Sequence, residues 1–566
     1  MGLSESQWRP AGIAGFTEDS MLKLWTLVVL IALAFAALLS AGHLQPGAAC
    51  LVTTTGGPVD GLDVGTSCAF LGIPYAAPTS GANRWKPPQP RAPWSPLVLA
   101  AKTSSPNCGQ VQQPATPIGF EDCLFLNIWT RDLAPAQPAP VVVWLHTGAF
   151  TNASANFGGT NGRKFAEETG VVVVAPNYRV GSLGFLAHRA LAAEDPSRPT
   201  SGNYGLLDQQ AALRWVQDNI AEFGGDPQNV TIAGTSAGGA SVGLQLVSPA
   251  SAGLYHRAIV QSAYPTTRWT THDEYVAAGE AVANALGCTD PATVLGCMRS
   301  KSMNEVLLAR PVATQQVVAQ PGRIYWEPNV DGFVIPDQPR DLFARGHWHQ
   351  VPTIVGANRD EGWGSFIMRS FPSGVSLPQY ETWVANEFGG LATAVLAEYD
   401  AADYSSPQEA MARLVGDGQF VCEARRLARI IASQPGGTVY LYSYEYQIDD
   451  LSVGHVNHGF ESNILFGNDY VPLIFPSHVL TPVDLTLHAA MAGYWSRFAA
   501  FGDPGGAAEL RWTRYGEPRG IAGSRRDHMI FDTVVRRGDD LREEACDFWS
   551  TFFLRTMLGG TAAYLP

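Results

Sequence analysis

VTIAGTSAGGAS, residues 230–241, is the most informative segment of this sequence for its fold. Its first residues, after a predicted turn GGDPQN (224–229), form a short apolar run that is typical of a buried strand. Its centre, GTSAG (234–238), matches the pattern G-x-S-x-G, in which a serine occupies a sharp turn between a strand and a helix. The flanking glycines are needed because side chains there would collide with neighbouring structure. We therefore predict a strained turn that projects the hydroxyl of Ser236 above a sheet.

The segments around this stretch alternate between predicted strands and helices. VVVWL (141–145) and VVVVA (171–175) are continuous β-branched runs, as expected for strands that are covered on both faces. A helical pattern covers 205–223, and strand-like runs return at TIVG (353–356) and in TVYLYSYEY (438–446). This alternation predicts an α/β fold with a large, mostly parallel sheet whose functional groups gather at the carboxyl ends of the strands.

A serine hydroxyl becomes a nucleophile when a histidine removes its proton and a carboxylate orients that histidine. For a serine in this kind of turn, the acid and then the histidine follow in chain order. Asp360 and Glu361 are the candidate acids after TIVG. His458 lies in a glycine-containing loop, where a base is expected, but His455 is only three residues away. The residues alone leave both choices open.

The reaction of such a serine with an acyl group also needs hydrogen-bond donors for the oxygen that becomes negatively charged. HTGAF (146–150) follows the strand VVVWL and contains small residues that let the backbone approach a substrate closely. We expect backbone N–H groups of this loop to serve as those donors.

The composition excludes several classes of protein. The 566 residues are 46% hydrophobic, which allows a large buried core and rules out intrinsic disorder. The formal net charge of −14 argues against nucleic acid as a partner. None of the eight cysteines has the C-x-x-C spacing of a metal or redox site, and we expect neither a metal nor another cofactor.

The N-terminal region predicts export. MLKLWTLVVLIALAFAALLSAG (21–42) has one lysine, an apolar run and small residues at its end, the order of a signal peptide, with a cut after Gly42 or Ala49. The run is also long enough for an uncleaved membrane anchor. We expect a polar extension at 1–20, the signal or anchor at 21–42, and a single catalytic domain at 43–566 outside the cytoplasm.

Several ordered blocks resemble the type-B carboxylesterase/cholinesterase family of α/β-hydrolases, from about residue 50 to about residue 553. The most specific of these blocks is EDCLFLNIW (121–129). The others are FLGIPYA (70–76), NYRVGS (177–182), GNYGLLDQ (202–209), GGDP (224–227) and HGFE (458–461). The resemblance implies an α/β-hydrolase fold with a small N-terminal β-hairpin region.

The resemblance also assigns residues. It makes Ser236 the nucleophile, Glu361 the acid and His458 the base, with oxyanion donors at the N–H groups of Gly148, Ala149 and Ala237. It implies structural ion pairs between Arg84 and Glu121 and between Arg179 and Asp208. It pairs six cysteines, and the two left over suggest a fourth bridge, although a free or lipid-modified Cys50 is an alternative: Cys108–Cys123, Cys288–Cys297, Cys422–Cys546 and Cys50–Cys68.

The chain departs from the family where substrate specificity is set. HTGAF replaces the usual HGGGF, so Thr147 and Ala149 add bulk, and we expect bulky tertiary-alcohol esters to fit badly. Thr235 stands where the family commonly has Glu, and the loop between Cys108 and Cys123 lacks the Trp with which cholinesterases bind an ammonium group. Substrate-pocket candidates, for which plain core packing is the alternative, are Phe150, Thr235, Trp269, Ile324, Tyr325 and Trp326.

These observations predict a serine carboxylesterase (a carboxylic ester hydrolase) that acts on small-molecule, uncharged esters without a cofactor. One alternative is a lipase acting on longer-chain esters. Another is a non-catalytic adhesion protein of the same fold, although such proteins carry a damaged triad. A membrane would be a partner only if residues 21–42 stay uncleaved as an anchor.

Overall fold

The computed structural model describes residues 50–112, 115–156, 161–309, 326–368, 371–448, 454–469, 478–506, 510–516 and 527–557. The expected polar extension (1–20) and signal or anchor segment (21–42) lie outside the described residues, as do residues 43–49 at the start of the expected catalytic domain. Two of the expected pocket residues, Ile324 and Tyr325, also lie outside them.

Eleven strands of the described residues form one sheet, in the order β16-β15-β14-β13-β12-β11-β9-β10-β8-β4-β3. A smaller sheet has the order β1-β2-β5, and β6 pairs with β7. The strands, numbered along the chain, are β1 Leu51–Thr54, β2 Gly57–Asp60, β3 Leu62–Asp63, β4 Cys68–Pro74, β5 Leu99–Ala100, β6 Gln110–Gln112, β7 Thr116–Ile118, β8 Phe125–Thr130, β9 Ala139–Leu145, β10 Val172–Pro176, β11 Gly225–Thr235, β12 Arg257–Gln261, β13 Thr353–Asn358, β14 Val439–Tyr444, β15 Asp527–Phe531 and β16 Arg536–Asp539.

The α-helices of the same residues are numbered in the same way. They are α1 Arg163–Thr169, α2 Gly181–Phe185, α3 Arg189–Ala192, α4 Tyr204–Asn219, α5 Ala237–Val247, α6 His272–Ala285, α7 Val294–Ser300, α8 Met303–Leu308, α9 Pro339–Ala344, α10 Leu377–Phe388, α11 Ala392–Glu398, α12 Pro407–Gly416, α13 Cys422–Ser433, α14 Phe460–Phe466, α15 Pro482–Phe501 and α16 Glu543–Met557. Among the described residues, no helix has the length and apolar character needed to cross a membrane.

The centre of the large sheet is parallel and its edges are antiparallel. β10, β9, β11, β12, β13, β14 and β15 run parallel, whereas β16 on one side and β8, β4 and β3 on the other pair antiparallel. Helices α4, α5 and α13 pack on one face, and α1, α14 and α15 on the other. Coverage on both faces explains the continuous apolar strands, and the predicted mostly parallel α/β sheet is confirmed.

Most predicted elements are found with small shifts at their ends. The strand predicted at 141–145 is Ala139–Leu145, and the helix predicted at 205–223 is α4 followed by a 3-10 turn at Ile220–Phe223. The predicted turn at 224–229 is wrong, because most of it belongs to β11. There the pairing with β9 begins at Gly225 and shifts register before Val230, so a strand irregularity accommodates the proline.

Four disulfide bridges join the pairs expected from the sequence: Cys50–Cys68, Cys108–Cys123, Cys288–Cys297 and Cys422–Cys546. The first closes over the small hairpin β1–β2, with a sequence separation of 18. The last spans a separation of 124 and connects α13 with α16. It therefore ties the last described helix of the chain to α13, the helix directly before β14.

Two buried ion pairs fix loops around the parallel sheet. Arg179 donates to both carboxylate oxygens of Asp208 at 2.8 and 2.7 Å, and its own backbone N–H donates to the same carboxylate at 3.0 Å. Arg84 donates two hydrogen bonds of 2.7 Å to the carboxylate of Glu121 and another to the carbonyl oxygen of Lys301, just after α7. Both expected structural pairs are therefore formed, and each joins distant segments.

Candidate active site

Ser236 occupies a strained turn between β11 and α5. Its backbone has φ +59° and ψ −123°, a combination that non-glycine residues rarely adopt. A Cβ atom at Gly238 would lie 2.1 Å from the carbonyl oxygen of Leu145, and one at Gly234 would lie 2.6 Å from the carbonyl carbon of Gly238. The glycines of G-x-S-x-G are therefore required sterically, as the sequence pattern predicted.

The acid and the imidazole meet at the same edge of the sheet. Glu361 lies three residues after the end of β13, and His458 lies in the loop between β14 and α14. Nδ1 of His458 is hydrogen-bonded to Oε2 of Glu361, while Oε1 accepts the N–H of Asn358 at 2.7 Å. Glu361 is completely buried, and the His458 side chain is only 8% exposed. This is the geometry of a carboxylate that orients an imidazole.

The neighbouring candidates are used elsewhere. Asp360 accepts the side chain of Arg413 at 3.1 Å and the backbone N–H of Val456 at 2.9 Å. The ring of His455 stacks on Trp363 with centroids 3.9 Å apart. The geometry therefore favours Glu361 over Asp360 and His458 over His455.

A second carboxylate, Glu461, lies behind this pair and was not assigned from the sequence. It is completely buried and accepts the hydroxyl of Ser262 at 2.8 Å and the side-chain amide of Asn358 at 2.6 Å. Ser262 follows β12 and has a left-handed backbone, with φ +48°. Glu461 ends the HGFE block, but its hydrogen-bond partners lie at the ends of β12 and β13. The motif alone therefore did not indicate that Glu461 lies near His458.

The two carboxylates set the ionisation of His458. Burial acts to lower the pKa of His458, but the negative charge and hydrogen bond of Glu361, together with the charge of Glu461, outweigh it and raise that pKa above its usual value. Burial and the charge of Glu361 raise the pKa of Glu461 to about 7. The imidazolium form of His458 is therefore stabilised, as a base that accepts a proton requires.

The HTGAF loop follows β9, the neighbour of β11 in the sheet. Its residues Gly148, Ala149 and Phe150 all have positive φ angles, of +114°, +52° and +56°. A Cβ atom at Gly148 would lie 2.0 Å from the carbonyl oxygen of Asn152, so this position requires glycine. Ala237 is the first residue of α5, where N–H groups lack acceptors within the helix. The three expected donor residues thus lie after two adjacent strands.

Aromatic rings connect His458 with this loop. The ring centroid of Phe420 lies 4.7 Å from that of His458 and 5.9 Å from that of Tyr264. Tyr264 stacks on Trp269 at 5.7 Å, and Trp269 meets Phe150 edge-on at 6.2 Å. Two expected pocket residues, Phe150 and Trp269, therefore belong to one chain of buried core rings, which we call the aromatic wall and define as Phe150, Trp269, Tyr264 and Phe420. The last two were not predicted from the sequence.

The remaining pocket candidates have other surroundings. The hydroxyl of Thr235 lies 2.7 Å from that of Ser462, which connects the residue before the nucleophile to the helix after His458. Trp326 is half-buried and packs edge-on against Tyr275 of α6 at 6.3 Å. Within the described residues, no group of three His, Cys, Asp or Glu side chains could hold a metal ion.

Comparison with known proteins identifies the family. A model of the carboxylesterase family matches residues 48–549. The chain is also 33% identical over 506 residues to the fumonisin B1 esterase of Sphingopyxis macrogoltabida, an alignment that covers 86% of this chain and 87% of that protein. The chain therefore belongs to the carboxylesterase family, has the α/β-hydrolase fold and is a carboxylic ester hydrolase.

Proposed function

We propose that the protein is a serine carboxylesterase that works through an acyl-enzyme intermediate. The hydroxyl oxygen of Ser236 attacks the ester carbonyl carbon while His458 takes its proton. His458 then gives this proton to the leaving alcohol, and a water molecule activated by the same imidazole releases the acid. Glu361 orients the imidazole and stabilises its charged form.

One observation carries this proposal. A serine held at φ +59° after β11 shares the carboxyl edge of the sheet with a buried carboxylate that is hydrogen-bonded to an imidazole. The N–H groups of Gly148, Ala149 and Ala237 are the proposed oxyanion donors. Each such donor typically contributes about 3–4 kcal/mol to transition-state stabilisation in serine hydrolases.

We propose uncharged esters of unhindered alcohols as the substrates. The aromatic wall is apolar and suits the acyl group, while the methyl group of Ala149 narrows the space beside the oxyanion donors. The absence of Trp from the Cys108–Cys123 loop removes a cation–π partner for a quaternary ammonium, so we expect no preference for choline esters.

We also propose that the catalytic domain works outside the cytoplasm. Four disulfide bridges join all eight cysteines, and such bridges persist in oxidising compartments. The apolar run at 21–42 supplies either a signal peptide or an anchor.

Ester hydrolysis by purified residues 43–566 tests the proposal. We expect Ser236→Ala to lower kcat/KM for p-nitrophenyl acetate by at least about a thousandfold, whereas Ser433→Ala, an exposed serine at the end of α13, leaves it unchanged. Hydrolysis that survives Ser236→Ala would exclude Ser236 as the nucleophile. No hydrolysis of any ester by the wild-type protein would favour the adhesion alternative.

A series of p-nitrophenyl esters of increasing chain length separates the esterase from the lipase. An esterase prefers short chains in solution, whereas a lipase gains activity above the solubility limit of long-chain esters. Fumonisin B1, after which the similar esterase is named, is assayed beside this series as a candidate substrate.

A further inference from the structure

The base segment, which we define as residues 457–462, contains the proposed base and is bonded to the sheet at both of its ends. Asn358, the last residue of β13, donates to the carbonyl oxygen of Asn457 at 2.7 Å. Ser262, directly after β12, donates to the carboxylate of Glu461 at 2.8 Å. Two adjacent strands of the sheet therefore anchor the two ends of the base segment.

The middle of the base segment has open space beside its backbone. Gly459, directly after His458, has a left-handed backbone with φ +84°. A Cβ atom built on Gly459 would meet no neighbouring group within 4 Å. The position of the imidazole therefore depends on the anchors at the ends of the base segment, in addition to its hydrogen bond with Glu361.

A third anchor comes from the strand that carries the nucleophile. Thr235 is the last residue of β11, and its hydroxyl oxygen lies 2.7 Å from the hydroxyl oxygen of Ser462 in α14. The two residues are only 3% and 4% exposed. Among the described residues, neither hydroxyl has another hydrogen-bond partner. Loss of either hydroxyl would therefore leave the other one buried without this partner, which is unfavourable.

This hydroxyl pair is a short connection between the nucleophile and the base. Thr235 is directly before Ser236, and Ser462 is four residues after His458. Proton transfer from a serine to an imidazole needs a distance of about 2.6–3.2 Å between the reacting atoms. A displacement of about 1 Å can lower the rate about a hundredfold. Threonine is β-branched and has few rotamers, so its hydroxyl keeps a fixed direction relative to the strand.

We propose that Thr235 is a positioning residue whose hydroxyl, through Ser462, holds the base segment at the distance from Ser236 that proton transfer requires. This inference rests on the serine esterase mechanism proposed above. Thr235 does not have to touch the substrate to act in this way. The bond joins two neutral hydroxyls, so its contribution is to geometry rather than to charge, unlike that of the carboxylates around His458.

Steady-state hydrolysis of p-nitrophenyl acetate tests this assignment. Thr235→Val keeps the shape of the side chain but removes the hydroxyl. We expect it to lower kcat and kcat/KM together by at least about tenfold, with KM unchanged, because the lost geometry matters in the transition state. Thr235→Ser retains the hydroxyl and should stay within about threefold of the wild-type kcat.

Thr231→Val is the matched control. Thr231 is a completely buried threonine of the same strand, and its hydroxyl has no hydrogen-bond partner among the described residues. The control therefore makes the same chemical change in β11 without breaking a bond to the base segment. Its kcat should equal that of the wild type.

The partner hydroxyl provides an independent test of the same bond. Ser462→Ala should lower kcat as much as Thr235→Val does. The double variant should lose no more than either single variant, because both substitutions remove one shared bond. Near-ultraviolet circular dichroism verifies that each variant is folded, and Ser462→Ala tests the bond if Thr235→Val does not fold.

Three results would overturn the proposal. Wild-type kcat in Thr235→Val, even with a lower melting temperature, would show that the hydroxyl serves stability alone. A Thr235→Ser variant as impaired as Thr235→Val would assign the effect to the methyl group, and losses that multiply in the double variant would show that the two hydroxyls act separately. Failure of the proposed mechanism is a different outcome, in which hydrolysis survives Ser236→Ala.

Discussion

Individual side chains around His458 differ in how far the sequence reveals them. Ser236 lies in a local sequence pattern whose glycines are only two residues away in the chain, so the sequence predicted its position. Glu461 accepts hydrogen bonds from Ser262, after β12, and from Asn358 of β13, both far away in the chain. Phe420, just before α13, packs against His458, which is also distant in the chain. Nothing local distinguishes them from ordinary core residues, and only the folded structure brings them to the imidazole.

The charge of Glu461 predicts a pH effect. The pKa of Glu461 is raised to about 7, so this residue carries part of a negative charge where His458 titrates. Glu461→Gln removes that charge, so the pKa of His458 should fall. Because the base must be neutral to accept a proton, the acid limb of the kcat/KM profile should move to lower pH. Glu409→Gln, a carboxylate that faces His455 instead, should leave this limb in place. An unchanged or upward shift in Glu461→Gln would refute the assigned influence on His458.

Ala149 predicts a change in selectivity. Ala149→Gly removes a methyl group and relieves a left-handed backbone that costs an alanine about 1–2 kcal/mol. The ratio of tert-butyl acetate to ethyl acetate turnover should rise at least about tenfold. Ala153→Gly relieves a similar strain at φ +72° in the same loop and serves as the control. A ratio that rises equally in both variants would assign the effect to loop strain rather than to the methyl group.

Strands and helices were easier to predict than their ends. Continuous β-branched runs located β9 and β10 because burial on both faces leaves few other options for such residues. The turn predicted at 224–229 was wrong because the glycine and proline there belong to an irregularity within β11. Glycine and proline are common in both turns and strand irregularities, and only the pairing of β11 with β9 shows which one forms. The order of strands in the sheet also depends on long-range contacts that no local pattern contains.

The strand-to-helix turn predicts an unequal response to glycine substitution. Gly238→Ala places a Cβ atom 2.1 Å from a backbone oxygen, so the turn must shift and activity should fall at least about a hundredfold. Gly296 lies in α7, and a Cβ atom added there would meet no neighbouring group within 4 Å. Gly296→Ala should therefore stabilise the helix by up to about 1 kcal/mol. Thermal unfolding and ester hydrolysis measure both effects. Full activity of Gly238→Ala would contradict the steric account of the turn.

At the scale of the whole molecule, the proposed catalytic residues 236, 361 and 458 all follow strands of the eleven-stranded sheet, and the Cys422–Cys546 bridge links segments of the second half of the chain. The resemblance predicted the bridge pairing, which composition could not have selected among eight cysteines.

The longest bridge predicts a large loss of stability. Removing Cys422–Cys546 with two alanines frees a loop of sequence separation 124 and should lower the free energy of unfolding by about 5 kcal/mol. Removing Cys288–Cys297, with a separation of 9, should cost less because its loop is shorter. Urea unfolding of the oxidised variants measures both losses. A greater loss from the shorter bridge would contradict the loop-entropy argument.

The proposed mechanism requires that Ser236 carries the acyl group during ester hydrolysis. Rapid mixing of the protein with p-nitrophenyl acetate, followed by acid quenching and peptide mass spectrometry, tests it most directly. We predict an added acetyl group on Ser236, formed at up to one per chain and absent from Ser236→Ala. An acetyl group on another residue instead would show that Ser236 is not the nucleophile. Undiminished turnover in Ser236→Ala, with no acetylated protein in the wild type, would show the same.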